Sequence, residues 1–167
     1  MKVLRYIDKL SGWLALLGVI LVPALAIVVF YDVIARYFFN APTFWAYEIS
    51  WMLYSAIFLL GFAYALREQA HVKVDVILNM LPVRPKAIVE AFFLLTTLFI
   101  FCAAVVGYGI DFAVESWRIR EGSMLTMWAP PVYYTKTLIP VVFFVFGLQG
   151  LVEFIRRIQI IIKGVQA

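Results

Sequence analysis

The hydrophobic positions of this chain fall into four blocks that contain no charged residue: Leu10 to Tyr31, Ile49 to Leu66, Ala91 to Ile110, and Thr137 to Val152. Within each block apolar side chains occupy every face rather than one stripe or alternate positions. A helix that is hydrophobic all round is buried in a large core or in lipid. A bilayer core of about 30 Å takes about 20 such residues per helix. The fourth block is short, but the uncharged stretch Gly122 to Thr135 precedes it, with only Lys136 between them. The pattern predicts an all-α membrane protein with four transmembrane helices. They form a single four-helix membrane domain over residues 1–167, with spans at approximately 10–31, 49–66, 91–110 and 137–152. Lys2, Arg5 and Lys9 precede the first block, and Ala24-Leu25-Ala26 within it mimics a cleavage site. The apolar run continues to Tyr31, beyond the length of a signal-peptide core, so a retained span is expected.

The segments between the blocks carry their own patterns. Val3, Leu4, Ile7 and Leu10 sit at helical spacing among basic residues, which predicts a short amphipathic helix on the inner leaflet. Asp32 and Arg36 are four apart on one helix face. As an exposed pair they contribute little; at the membrane boundary they also suit the orienting of a partner protein. Asn40 and Pro42 break the chain, and Phe44, Trp45 and Tyr47 supply an interfacial aromatic belt. Glu48 then opens the second span, where a carboxylate complements the helix dipole. After the third block, Asp111, Glu115 and Arg118 form a charged stripe beside Ile110, Val114 and Trp117. Trp128, Tyr133 and Tyr134 surround the break at Pro130-Pro131 and form a second belt. In the fourth block Gln149 stands between Gly147 and Gly150, a polar side chain with small neighbours of the kind used for close helix packing in membranes.

Composition reinforces the membrane reading, with 65 % hydrophobic and 14 % charged residues against about 25 % charged in soluble proteins. The net charge of +4 would suit nucleic acid, but its placement suits lipid headgroups. Of the 14 lysines and arginines, ten lie in the two terminal segments and the 67–90 loop. The positive-inside rule therefore puts both termini and that loop in the cytoplasm. The chain's single cysteine, Cys102, sits mid-block and is expected to be a buried structural thiol. No block has an ionisable residue at its centre, as proton relays and ion pathways require. Phosphate-binding loops and nucleophile elbows are absent from the sequence. Glu68, His71 and Asp75 are too loose a set for a metal. No catalytic residue, cofactor or metal is expected. What remains is an apolar body with aromatic and charged rims, suited to packing against larger membrane partners.

Three segments carry a family resemblance: "ARYFFNAPTFWAYEIS", "GFAYALREQAHVKVDV" and "IPVVFFVFGLQGLVEF". With them the chain resembles, over essentially its full length, the small membrane subunit of tripartite ATP-independent periplasmic (TRAP) transporters. The middle segment is the most specific, reading Ala70-His71-Val72-Lys73-Val74-Asp75 where the family has small, His, apolar, basic, apolar, Asp. Many members carry two adjacent acidic residues near the start of the second span; this chain has Tyr47-Glu48. The resemblance implies a large multi-span partner subunit that holds the substrate and sodium sites and moves as an elevator. It implies a periplasmic substrate-binding protein as well, and a bacterial or archaeal inner-membrane location. This chain would brace the partner's static scaffold and hold no substrate ligand itself. The surface near Asp32, Arg36, Trp45, Glu48, Glu115 and Arg118 is then the candidate docking rim. Arg67, Glu68, His71, Lys73 and Asp75 form a cytoplasmic turn that serves assembly, with Asp75 capping a short helix over 76–81. An anchor subunit of a redox complex and a self-sufficient small transporter are the competing readings.

Overall fold

A computed structural model describes residues 2–68 and 81–163. Among them are four long helices: α1 (Lys2–Phe38), α2 (Phe44–Arg67), α3 (Val83–Arg118) and α4 (Tyr133–Lys163). All four are long and apolar enough to cross a membrane. Each hydrophobic block lies inside one helix, and every helix overruns its block. The longest helix is α1, whose 37 residues span about 55 Å at 1.5 Å per residue. The short helix expected around Val3, Leu4, Ile7 and Leu10 is continuous with α1. Asp8 and Ser11 are bonded to α4, which ties this stretch to the bundle. Pro23 lies inside α1 without ending it.

The helices run antiparallel to their chain neighbours, and α4 is the hub. Half of its most apolar window is buried, against 6 % for α1. Helices α1 and α2 pair along their length, with Gly18 against Leu60 and the Tyr31 and Trp45 rings 5.3 Å apart. The pair packs on one side of α4 and α3 on the other. Phe62 of α2 reaches Phe143 and Phe146 at 5.5 and 5.7 Å between ring centroids. Leu66 and Cys102 complete this core. The buried Cys102 thiol is thus a packing group beside Gly147.

The seam between α3 and α4 is made of small residues. Gly109 lies against Pro140, Cys102 against Gly147, and Leu98 against Gly150. The buried residues on the far part of α3 are Gly109, Ala113 and Ser116, and the Ile110, Val114 and Trp117 stripe faces outward. Lipid gives helices no hydrophobic reason to associate, so close backbone approach across small side chains supplies the attraction. A single π turn, Leu94–Leu98, interrupts α3. Such a turn adds one residue to the helical repeat and sets the phase at which Leu98 meets Gly150. Large apolar residues such as Leu17, Ile20, Ile27 and Ile100 stay on the outer faces, where lipid solvates them.

A Cβ built on Gly150 lies 2.5 Å from Leu98 Cδ2, whereas one on Gly147 finds its nearest neighbour at 3.6 Å. The atom met is a terminal methyl of Leu98, which can rotate aside, so the cost falls at the low end of the about 1–3 kcal/mol of overpacking. Gly150→Ala is therefore expected to lower the thermal midpoint in detergent more than Gly147→Ala. Adding Leu98→Ala should restore part of the loss, and a double-mutant cycle measures the coupling.

Candidate functional site

Two clusters of polar side chains cap the ends of the bundle. At the end carrying Lys2 and Lys163, α1, α3 and α4 share one hydrogen-bonded clasp. Gln149 is fully buried. Its Oε1 accepts from Ser11 Oγ at 2.9 Å and its Nε2 donates to Asp8 Oδ1 at 3.0 Å. Two turns further along α4, Arg156 forks between Asp8 at 2.6 Å and Glu153 at 2.5 Å. Arg157 then pairs with Glu90 of α3 at 3.0 Å and lies 3.9 Å from Glu153. The buried carboxylates Glu90 and Glu153 are tolerable at this depth because each faces a guanidinium rather than lipid. Gln149 was legible from its glycine neighbours. Its partners were not: Asp8 stands among basic residues, and Glu153 and Arg156 read as the ordinary polar end of a span.

The opposite end carries the two turns. In the first, Asp32 pairs with Arg36 at 2.7 Å and also accepts the Thr43 hydroxyl at 2.5 Å and the Thr43 N–H at 3.3 Å. The expected surface ion pair thus has a second job, fixing the residue from which α2 starts. Asn40 takes a left-handed φ of 47° to make the turn. In the second, α3 closes through the left-handed Arg120, with Glu121 N–H bonded to Ser116 C=O at 3.0 Å. This is a Schellman closure. Residues 121–132 then fold back as a small hairpin, joined at the Gly122–Pro131 bridge. Lys136 holds its neck, 2.5 Å from Glu121 and 3.9 Å above the Phe112 ring. Trp117 Nε1 donates to Thr137 Oγ1 at 2.8 Å, and its ring packs on Tyr133 and Tyr134.

The rim residues expected to meet a partner divide. Arg36, Trp45, Glu115 and Arg118 are exposed, the last two paired at 3.6 Å. Glu48 is not: it is fully buried under the hairpin, where its Oε1 accepts the Thr126 hydroxyl at 2.9 Å. A carboxylate one turn inside a helix N-terminus suits the dipole, but this one is read by the chain's own loop. At the other end, Arg67 closes α2, and Glu68 follows it, exposed, with its N–H on Tyr64 C=O at 2.9 Å. His71, Lys73 and Asp75, with the helix expected over 76–81, lie outside the described residues. No three His, Cys, Asp or Glu side chains converge as metal ligands among the described residues.

The sequence matches the family described as "Tripartite ATP-independent periplasmic transporters, DctQ component" over residues 25–160. The chain belongs to the DctQ family. That stretch takes in the last part of α1 from residue 25, all of α2 and α3, and nearly all of α4. Two curated relatives come from Haemophilus influenzae. The "Sialic acid TRAP transporter permease protein SiaT" of strain 86-028NP is 28 % identical over 89 residues, which is 53 % of this chain and 14 % of that protein. A "Putative TRAP transporter small permease protein" of strain ATCC 51907 / DSM 11121 / KW20 / Rd is 29 % identical over 89 residues, 53 % of this chain and 52 % of its own length. The matched stretch thus covers about half of the second relative and a small part of the first. The DctQ chain is a multi-pass membrane protein of a transporter family, and its polar clusters bind helices and loops to one another.

Removing one partner from a buried ion pair costs about 3–5 kcal/mol. Arg157→Ala, which takes the guanidinium from the buried Glu90 carboxylate while Glu153 keeps Arg156, is expected to destabilise the bundle by an amount of that order in a detergent-based unfolding assay. Glu115→Ala, which removes an exposed pair, should change the midpoint little. At the hairpin neck, the Lys136 ammonium, helped by the Ser116 hydroxyl, holds the Glu121 carboxyl below its ordinary value of 4.5. A lowered folded-state pKa means the contact helps stability above the unfolded value and loses its contribution as pH falls through the folded one. Protection of the amides in residues 119–132 against hydrogen exchange, taken relative to the intrinsic rate at each pH, should therefore be high at neutral pH and fall below about pH 4.5, and Lys136→Gln should remove that step.

Proposed function

We propose that this chain is the small membrane subunit of a TRAP transporter, bracing the scaffold of a large elevator-type subunit for sodium-coupled, binding-protein-dependent uptake of an organic acid. The observation that carries this reading is the family match across residues 25–160. An elevator needs a stationary part that resists tilting while another domain slides. Four helices tied at both ends of the bundle, with broad apolar outer faces, suit that part. The charge distribution favours an orientation with Lys2, Lys163 and the 69–80 connection in the cytoplasm. The two turns then face the periplasm of a bacterial or archaeal inner membrane.

On this reading Asp32, Arg36, Trp45, Glu115 and Arg118 form the rim that a periplasmic binding protein meets, and Glu48 shapes that rim from beneath. Arg67, Glu68, His71, Lys73 and Asp75 serve assembly with the large subunit on the cytoplasmic side. Gly147, Gln149 and Gly150 hold α4 against α3 and α1. The substrate class follows the name of the relative that is a sialic acid permease, which points to a carboxylate-bearing solute.

Purification of the tagged chain from its own host in mild detergent tests the reading. A large multi-span membrane protein is expected to accompany it. The reconstituted pair, with its binding protein and a sodium gradient, should take up an organic acid that the chain alone does not. Recovery of the chain without such a companion would overturn the proposal.

A further inference from the structure

The hairpin between α3 and α4 is built unlike a loop that projects into water. Residues 122–135 carry no charge. Met124 and Met127 are each 96 % exposed, and Leu125 and Trp128 are open as well. Flexible apolar side chains displayed together on a surface mark a contact site with another apolar medium.

Depth decides which medium. The Thr43 hydroxyl and N–H both bond Asp32, so these two residues lie level at the charged margin of the bundle. Glu48 is five residues further along α2, about 7 Å toward the middle of the bundle at 1.5 Å per residue. Thr126, 2.9 Å from Glu48, therefore brings the hairpin tip down beside the helices, below the level of the Asp32–Arg36 pair. Between the hairpin and the first turn lies an open groove of about 660 Å³ walled by Pro42, Phe44, Trp45, Met127 and Trp128. Its walls continue the outward apolar surface of the helices.

Part of the hairpin backbone is bonded within the chain, and the N–H groups of Met124, Thr126, Met127 and Trp128 are left for the hydrated headgroup zone while the Met124, Met127 and Trp128 side chains point to apolar medium. Ser123 N–H bonds Pro130 C=O at 2.8 Å, Val132 N–H bonds Glu121 C=O at 3.1 Å, and Ala129 N–H bonds Thr126 C=O at 3.3 Å. Leu125 N–H finds Ser123 Oγ at 3.2 Å, and Pro130 and Pro131 have no N–H to satisfy. Arg118 and Arg120, exposed just before the uncharged stretch, are cations of the kind that lipid phosphates accept.

We propose that the α3–α4 hairpin is a lipid-inserted wedge. Met124, Leu125, Met127 and Trp128 enter the upper acyl region of the leaflet at the turn end of the bundle, and the buried Glu48–Thr126 hydrogen bond holds the hairpin at that depth. Its ligand is the phospholipid surface itself. The proposal stands independently of the transporter reading, since the leaflet and the hairpin are present whatever accompanies the chain.

Fluorescence depth measurements on the full chain test it. In a Cys102→Ala background, Met124→Cys and Met127→Cys are labelled with an environment-sensitive fluorophore, with Ile20→Cys as the lipid reference and Glu115→Cys as the rim reference. The protein is reconstituted in phosphatidylethanolamine and phosphatidylglycerol vesicles. Insertion to about 5–10 Å below the headgroups should give strong quenching by nitroxides high on the acyl chains, and iodide quenching at least about twofold weaker than at Glu115→Cys. Adding Thr126→Val to Met127→Cys should raise iodide quenching toward the rim level; no change would overturn the role given to Glu48. Iodide quenching equal to Glu115→Cys overturns insertion. Shielding from both quenchers, the mark of a face covered by protein, overturns it too.

Discussion

Lipid tails are as apolar as leucine, so nothing hydrophobic pulls these four helices together once each is in the membrane. Association depends on close packing and on polar groups that have nowhere else to go. Both meet on one turn of α4. Gly147 and Gly150 let α3 approach through Cys102 and Leu98, and Gln149 between them reaches across to Ser11 and Asp8 of α1. A single turn thus faces α3 with its absent side chains and α1 with its amide. This explains why α4 is the helix most fully enclosed.

The charged residues extend the same logic to the bundle's two ends. Glu90 and Glu153 near one end and Glu48 near the other are carboxylates inside helices that otherwise read as spans. Glu90 is answered by Arg157 of α4 and Glu48 by Thr126 of the hairpin, while Glu153 is answered by Arg156 of its own helix, which in turn joins Asp8 of α1. A buried ion pair is weak evidence of stability, because desolvation offsets most of its attraction. Its stronger effect is on register. Sliding α3 past α4 by one residue would strip Glu90 of its guanidinium and drive Leu98 off Gly150 together. The clasp and the small-residue seam enforce the same alignment by different physics.

Hydropathy located all four helices, because length without charge is a property of the sequence alone. The prominence of Gln149 was also legible, since a polar residue flanked by glycines in an apolar run has few uses except packing. The partners were hidden for a definite reason. Asp8, Glu153 and Arg156 lie at the margins of charge-free runs, and a marginal charge has the same sequence signature whether it meets water or another helix. Glu48 shows this most clearly. Its place at the start of a span suggested an exposed end, and only the fold-back of a distant, uncharged hairpin buries it. The short helix expected near the amino terminus runs on into α1, and its partners were hidden for the same cause. Its amphipathic spacing is real, but the polar positions Asp8 and Ser11 answer α4 rather than headgroups.

These contacts bear on what such a chain can do within a transporter. A brace resists tilting only if it is held at two depths, because one point of contact is a pivot. Here the clasp ties three helices near one end, and the Asp32–Thr43 and Glu48–Thr126 contacts tie both turns near the other. Between them the α3–α4 seam is tight enough that a Cβ at Gly150 displaces Leu98. Bending α3 relative to α4 therefore requires breaking polar contacts in an environment without water to replace them. In a membrane this is a costlier deformation than in solution, and under the bracing role proposed above it is the stiffness that a fixed support would need.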